Sequence, residues 1–364
     1  MIILRDYQFR GVTDIRAAYR AGRKSIVYVG PTGSGKTRIL TYIAHGAMQK
    51  NNRIIIVVHR QELIRQTASA LSDLGVKFGV IAAGHEPSPE FPVQLGMNQT
   101  IVKRPDIAAP DLLIVDECHH AASDSYRQVS ARFPAAKTLG LTATPQRLDG
   151  KPLGTIFEEI ILGPSVQELI DLGFLCKPTY YAPPTDLDLS GVRKTAGDFN
   201  RAQSSERVDR PHITGSAVEH YLKICPGSPA VAFCITVKHA ENVRDQFIAA
   251  GVTAASIDGK LNDTDRADRV AALTEGRIKI LVSVDVISEG FDLPSVATAI
   301  LLRPTESLSV HLQQLGRILR PSLGKKAIVL DHVGNCLRHG LAVLEGVRPG
   351  GGDLCGCDAW NSDE

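Results

Sequence analysis

One eight-residue segment restricts what this chain can fold into. After the apolar run Ser25 to Val29 come Gly30-Pro31-Thr32-Gly33-Ser34-Gly35-Lys36-Thr37, and then a helix-like stretch. G-x-x-x-x-G-K-T between a strand and a helix is a phosphate loop. Its glycines let the backbone wrap so that successive N–H groups point at phosphate oxygens, and the helix N-terminus adds positive potential. Lys36 is then placed to reach the β and γ phosphates and Thr37 to hold Mg²⁺. The strand-loop-helix context calls for a parallel sheet flanked by helices.

Asp116 and Glu117 follow the apolar segment Asp-Leu-Leu-Ile-Val at 111–115. Taken alone, an Asp-Glu pair is ordinary solvated surface. Behind five strand residues and downstream of a phosphate loop, it stands at the mouth of a parallel sheet, where doubly wound folds bind ligands. Asp116 suits the Mg²⁺, and Glu117 suits orienting or deprotonating an attacking water. Cys118, His119 and His120 invite a zinc reading, but adjacent residues on a loop seldom converge on one ion and no second ligand pair has the right spacing to them.

Short apolar runs bounded by turn residues predict strands over Ser25–Val29, Arg53–Val58, Asp111–Val115 and Thr138–Leu141. The rhythm resumes after residue 215, at Ala230–Cys234, Ala254–Ile257, Ile278–Val282, Thr298–Leu302 and Ala327–Leu330, with helices over Val237–Ala250 and Asp263–Glu275. Between the two series, Cys176 to Arg210 is rich in proline, aspartate and small residues and reads as a linker or small insertion. The expected organisation is a first lobe over 1–170, a linker over 171–212, a second lobe over 213–345 and a flexible tail over 346–364.

At 364 residues the chain exceeds one ordinary core, and its 43% hydrophobic and 22% charged residues exclude a disordered class. Net charge is only +2, so a surface for nucleic acid has to be local. No apolar run reaches the length of a membrane span, the start lacks the regions of a signal peptide, and seven scattered cysteines read as reduced thiols. These features predict a cytoplasmic protein without a membrane partner.

Taken in order, the motifs resemble those of the superfamily 2 helicases. Asp116-Glu117-Cys118-His119 resembles the DEAD/DEAH boxes and Thr142-Ala143-Thr144-Pro145 the coupling motif that follows, which implies that His119 contacts Thr142, Ala143 and Thr144. Leu4-Arg5-Asp6-Tyr7-Gln8 looks like the adenine-reading segment, making Arg5 and Gln8 adenine contacts by resemblance. Residues 283–294 resemble motif V, which brings Gly290 and Asp292 to the nucleotide. Residues 313–320 resemble motif VI, with Gln313 at the nucleotide and Arg317 and Arg320 as arginine fingers.

The resemblance spans roughly residues 1–340 and implies an α/β fold of two tandem RecA-like lobes with ATP and Mg²⁺ between them. Grip segments give nucleic-acid contacts by resemblance at His59, Arg60, Gln99, Thr100, Thr236 and Ser283, suited to the sugar-phosphate backbone and blind to sequence. Within the superfamily, residues 302–307 and 330–335 and the Asp-Glu-Cys-His box look most like RadD-type bacterial and phage DNA helicases, although only Cys355-Gly356-Cys357 remains of their cysteine-rich C-terminal region. The implied function is an ATP-driven DNA helicase or translocase in repair, recombination or replication, acting as a monomer, with single-stranded DNA-binding protein as a partner by resemblance. The alternatives are an ATP-gated nucleic-acid clamp that does not unwind processively and an RNA helicase. A metabolic phosphate-loop kinase gives no reason for the segment Gln313 to Arg320.

Overall fold

A computed structural model of the chain describes residues 3–120, 124–144, 153–183, 187–195, 197–285 and 296–340. The chain divides into two compact units, Met1–Ser165 and Val166–Glu364. Both are parallel α/β structures, as the alternating rhythm requires.

The strands of the first unit are β1 (Ser25–Val29), β2 (Ile54–Val58), β3 (Phe78–Ile81), β4 (Val93–Met97), β5 (Leu112–Asp116), β6 (Lys137–Thr142) and β7 (Glu159–Leu162). They form one parallel sheet in the order β3-β4-β2-β5-β6-β1-β7. Its helices are α1 (Asp6–Arg20), α2 (Lys36–Met48), α3 (Gln61–Ser72), α4 (Asn98–Lys103) and α5 (Asp124–Arg132). Every residue of the central strand β2, Ile-Ile-Ile-Val-Val, is buried, as a strand covered on both faces must be. Alternation along β1 sends Ile26 and Tyr28 into one core layer and Val27 and Val29 into the other.

In the second unit the strands are β8 (Pro178–Tyr181), β9 (Lys194–Thr195), β10 (Asp198–Phe199), β11 (Ala230–Phe233), β12 (Ala254–Ile257), β13 (Ile280–Ser283), β14 (Thr298–Leu301) and β15 (Ala327–Asp331). The parallel sheet runs β12-β13-β11-β14-β15-β8, and β9 and β10 form a separate antiparallel hairpin. The helices are α6 (Val166–Asp171), α7 (Arg201–Val208), α8 (Pro211–Ile224), α9 (Val237–Ala249), α10 (Asp263–Thr274), α11 (Leu308–Gly316) and α12 (Asn335–His339).

The stretch expected to be a linker or insertion therefore carries regular structure of its own: β8, the β9–β10 hairpin and α7. β8 takes an edge position beside β15, where the missing N–H of Pro178 does no harm to the ladder. Residues 346–364, with Cys355 and Cys357, lie outside the described residues, as do Pro145, Gly290 and Asp292. Among the described residues no helix is long and apolar enough to cross a membrane.

Candidate functional site

Neighbouring strands β5, β6 and β1 of the first sheet end together, with Asp116 in register with Leu141 and Val29 with Thr142. The phosphate loop leaves β1 at this carboxyl edge. Its first residue is fastened to β6, because the Gly30 N–H donates to the Thr142 carbonyl at 2.9 Å. Gly33 and Gly35 have φ of +90° and +79°, conformations that a residue with a side chain adopts only under strain. At Gly35 a side chain would also collide, its Cβ falling 2.4 Å from Gln8 Nε2.

α2 begins at Lys36, so its free N–H groups open toward the loop. Lys36 is buried and its Nζ donates to the Gly30 carbonyl at 3.0 Å. Thr37 follows in the first turn of α2, and Pro31, Thr32 and Ser34 complete the loop, which is closed by the Ser34 N–H donating to the Pro31 carbonyl at 3.1 Å.

The N-terminal segment braces this loop from outside. Gln8 Nε2 and Tyr7 Oη both donate to the Ser34 carbonyl at 3.0 Å. Gln8 Oε1 accepts from the Arg5 backbone N–H at 3.0 Å, and the Arg5 guanidinium donates to Tyr7 Oη at 3.1 Å. Tyr7 was not among the residues expected at the site. Its signal was present in Leu-Arg-Asp-Tyr-Gln, as an aromatic hydroxyl one position from Gln8.

Asp116 ends β5, almost wholly buried, with Oδ1 accepting from the Glu117 N–H at 3.1 Å. Burial and the neighbouring Glu117 charge push its carboxyl up to about 6, while Lys36 pulls the other way. Glu117 sits at φ +50°, an uncommon conformation of the kind that gathers at functional sites. Its Oε2 lies 3.3 Å from His119 Nδ1, and that nitrogen lies 3.2 Å from Thr142 Oγ1. The Thr142 hydroxyl oxygen also accepts from the Thr144 N–H at 3.2 Å. Buried His119, Thr142, Ala143 and Thr144 thus join the turn after β5 to the end of β6. Cys118 faces inward against Gly140, and burial holds its thiol well above the ordinary range, an inert packing residue.

Further along the same edge, His59 and Arg60 follow β2, with Arg60 at the N-cap of α3, and Gln99 and Thr100 lie in α4 just after β4. Asn98 anchors this helix by donating to Ser125 Oγ at 2.9 Å. In the second unit Thr236 caps α9, accepting from the His239 N–H at 3.2 Å, and the buried Ser283 ends β13. Gln313 lies buried in α11, Arg317 is its buried C-cap, and burial lowers the pKa of Arg320.

A family model described as the type III restriction enzyme res subunit matches residues 1–147, and one described as the helicase conserved C-terminal domain matches 216–322. A 51.5 kDa protein of Lactococcus phage (isolate 7-9) is 33% identical over 311 residues, covering 85% of this chain and 66% of the phage protein. The DNA 3′-5′ translocase XPB2 of Sulfurisphaera tokodaii is 26% identical, with 91% of this chain and 82% of the relative aligned. Among solved structures, the ATP-dependent type ISP restriction-modification enzyme LlaBIII bound to DNA superposes with a TM-score of 0.69 at 16% identity, covering 91% of this chain and 28% of that one. The structural likeness establishes the fold, two RecA-like units. Against curated relatives from phage, yeasts and an archaeal virus, the chain spans 52% to 66% of their length.

Proposed function

The chain is a superfamily 2 helicase-like protein, and from that premise we propose that it hydrolyses ATP to ADP and phosphate to drive movement along nucleic acid. One observation carries the reading. Three adjacent strand ends bring together Lys36, Asp116 with Glu117, and Thr142, and His119 joins the last two. A phosphate loop that only bound a nucleotide would need no buried link from its carboxylates to the end of a third strand.

The residues fit ATP and Mg²⁺. The buried ammonium of Lys36 and the hydroxyl of Thr37 stand at the start of α2, and the buried carboxylate of Asp116 at the end of β5 lies close enough to feel the Lys36 charge. The loop N–H groups and Lys36 hold the phosphates, and Thr37 and Asp116 hold the metal, which when bound offsets charge on the phosphate oxygens. Gln8 and Arg5 serve the adenine end, and Glu117 orients or deprotonates the attacking water. Arg317 and Arg320 stabilise the charge that develops on the transferring phosphoryl group, as forked guanidinium groups do best.

His119 and Thr142 pass the state of the nucleotide to the edge carrying His59, Arg60, Gln99 and Thr100. Thr236 and Ser283 supply the grip in the second unit. DNA is the proposed track, supported by the DNA translocase relative and by likeness to a restriction enzyme solved on DNA, and the proposed roles are repair, recombination or replication. The working unit proposed is a monomer, with single-stranded DNA-binding protein as a partner.

Steady-state ATP hydrolysis should be measured alone, with single-stranded DNA and with a matched RNA, alongside Lys36→Ala and Arg320→Ala. DNA stimulation that both substitutions abolish is the expected result. Stimulation by RNA alone would redirect the substrate, and activity indifferent to nucleic acid and to Arg320 would sink the motor. Strand release from a forked duplex separates a motor from an ATP-gated clamp, which would bind the fork without releasing a strand.

A further inference from the structure

The β9–β10 hairpin and α7 belong to none of the helicase-like motifs, yet they are tied to the rest of the second unit at two places where the proposed function puts working residues. On one side α7 meets residues proposed to hold a strand. Ser205 Oγ and Thr236 Oγ1 are 3.1 Å apart, and Arg201 pairs with Asp285, two residues beyond Ser283. Asp285 has φ +60°, a left-handed conformation rare outside glycine, so its position depends on what holds it.

On the other side the β9–β10 hairpin presents Asp198. Its carboxylate accepts from the Arg303 guanidinium at 3.3 Å, the Thr305 hydroxyl at 2.9 Å and the Glu306 N–H at 2.7 Å. Thr305 Oγ1 accepts in turn from the Ser307 N–H at 3.0 Å, and Ser307 Oγ caps α11 by accepting from the Val310 N–H at 3.4 Å. A chain of hydrogen bonds therefore runs from Asp198 to the first turn of the helix that carries Gln313 and ends at Arg317. Arg303 closes the circuit by donating also to Asp285, with only 12% of its side chain exposed.

Hairpin and helix form one piece. The Asn200 N–H donates to the Arg193 carbonyl at 2.7 Å, and the Asn200 side chain caps α7 by accepting from the Gln203 N–H at 3.2 Å. Any shift of α7 at Thr236 or Asp285 is carried to Asp198. A carboxylate is what this place needs: it accepts all three bonds and balances a poorly hydrated guanidinium, which an amide of the same shape cannot do.

The geometry points to Asp198 as a positioning residue that couples strand binding at Thr236 and Ser283 to α11, the helix that Arg317 caps. The inference rests on the function proposed above. Asp198 touches neither nucleotide nor strand in this scheme; it acts through Thr305 and Arg303.

The test compares the full chain with Asp198→Asn and Thr305→Val in three measurements: basal ATP hydrolysis, hydrolysis at saturating single-stranded DNA, and DNA affinity by fluorescence anisotropy. For Asp198→Asn the basal rate and the affinity should stay within about twofold while the DNA-stimulated rate falls about tenfold, the size of one lost charge-assisted hydrogen bond. Thr305→Val, which deletes both the bond to Asp198 and the bond from the Ser307 N–H, should show the same split, and it carries the test if Asp198→Asn does not fold. A structural defect would instead lower the basal and stimulated rates together, and that outcome overturns the inference. Full stimulation in both variants overturns it equally. If the unaltered chain is not stimulated by DNA or RNA, the proposed function falls and the inference with it.

Discussion

His119 Nδ1 stands 3.2 Å from Thr142 Oγ1, across the carboxyl ends of β5 and β6. The same hydroxyl oxygen accepts from the Thr144 N–H, so one buried side chain fixes both a histidine beside Glu117 and the course of the chain leaving β6. Thr142→Val keeps the shape and removes the hydroxyl. Losing the two buried contacts of this hydroxyl should cost about 1–3 kcal/mol of stability. Hydrolysis should survive within about threefold while strand release per ATP falls about tenfold, since the link and not the nucleotide site is cut. Equal losses in both rates would place Thr142 in hydrolysis itself.

Gly35 offers a cleaner probe of the loop than its lysine does. Gly35→Ala imposes a side chain on a left-handed residue, at a cost of about 1–2 kcal/mol, and drives a Cβ into Gln8 Nε2. Relief of that clash breaks the bond from Gln8 to the Ser34 carbonyl, loosening the brace around the phosphates. Binding of a fluorescent ATP analogue should weaken at least about tenfold, with the thermal midpoint lowered. Unchanged affinity would mean that the Gln8 brace is dispensable.

The fold was legible chiefly because its central strands are buried on both faces and read as continuous apolar runs. Ala254–Ile257 and Ser25–Val29 have the expected bounds, and the others shift by a residue or two at their ends. The strands β3, β4, β7 and β8 and the β9–β10 hairpin were not legible. Glu159–Leu162, for example, alternates exposed and covered residues over a length too short to carry a period. The phosphate loop and the Asp116-Glu117 pair could be read because their chemistry depends on local spacing. Asp198 and Arg303 could not, since the bonds that Asp198 accepts from Arg303, Thr305 and Glu306 span 105 to 108 residues of sequence that only folding brings near.

Acid should destabilise the second unit before the protein reaches the range where carboxylates titrate. Burial holds His239 down to about 4, and it holds His311 and His332 down to about 3, with added repulsion from His339 and His220 respectively. Each folded value lies below the ordinary 6.5, so the unfolded chain takes up the protons first as pH falls. Stability is full above about 6.5 and declines toward pH 4, by up to about 1.4 kcal/mol per pH unit for each histidine. Asp116 works oppositely in the first unit, because its raised value favours the folded state as pH drops below 6, but it is one group against three. The thermal midpoint of the full chain should fall between pH 7 and pH 5, and His332→Phe should flatten that slope. A midpoint independent of pH over this range would contradict the buried neutral histidines.

Arg320 distinguishes a nucleotide-binding role from a role in the chemical step. Burial lowers its pKa, yet a guanidinium remains charged, so in the proposed role it would offer a fixed, poorly hydrated fork to the phosphoryl oxygens. A lysine of the same charge presents a point donor on a different stem and cannot reproduce two parallel bonds. Arg320→Lys should therefore leave ATP affinity within about threefold while kcat falls about 10³-fold, the lower range for loss of an arginine finger. Arg317→Lys should behave similarly if both arginines meet the phosphate. It should instead lower the thermal midpoint with little change in kcat if the buried Arg317 serves mainly to end α11. Binding of a nonhydrolysable ATP analogue and single-turnover hydrolysis decide the matter together. A parallel loss of affinity and rate would make Arg320 a binding residue and leave the transition-state charge to Lys36 and the metal.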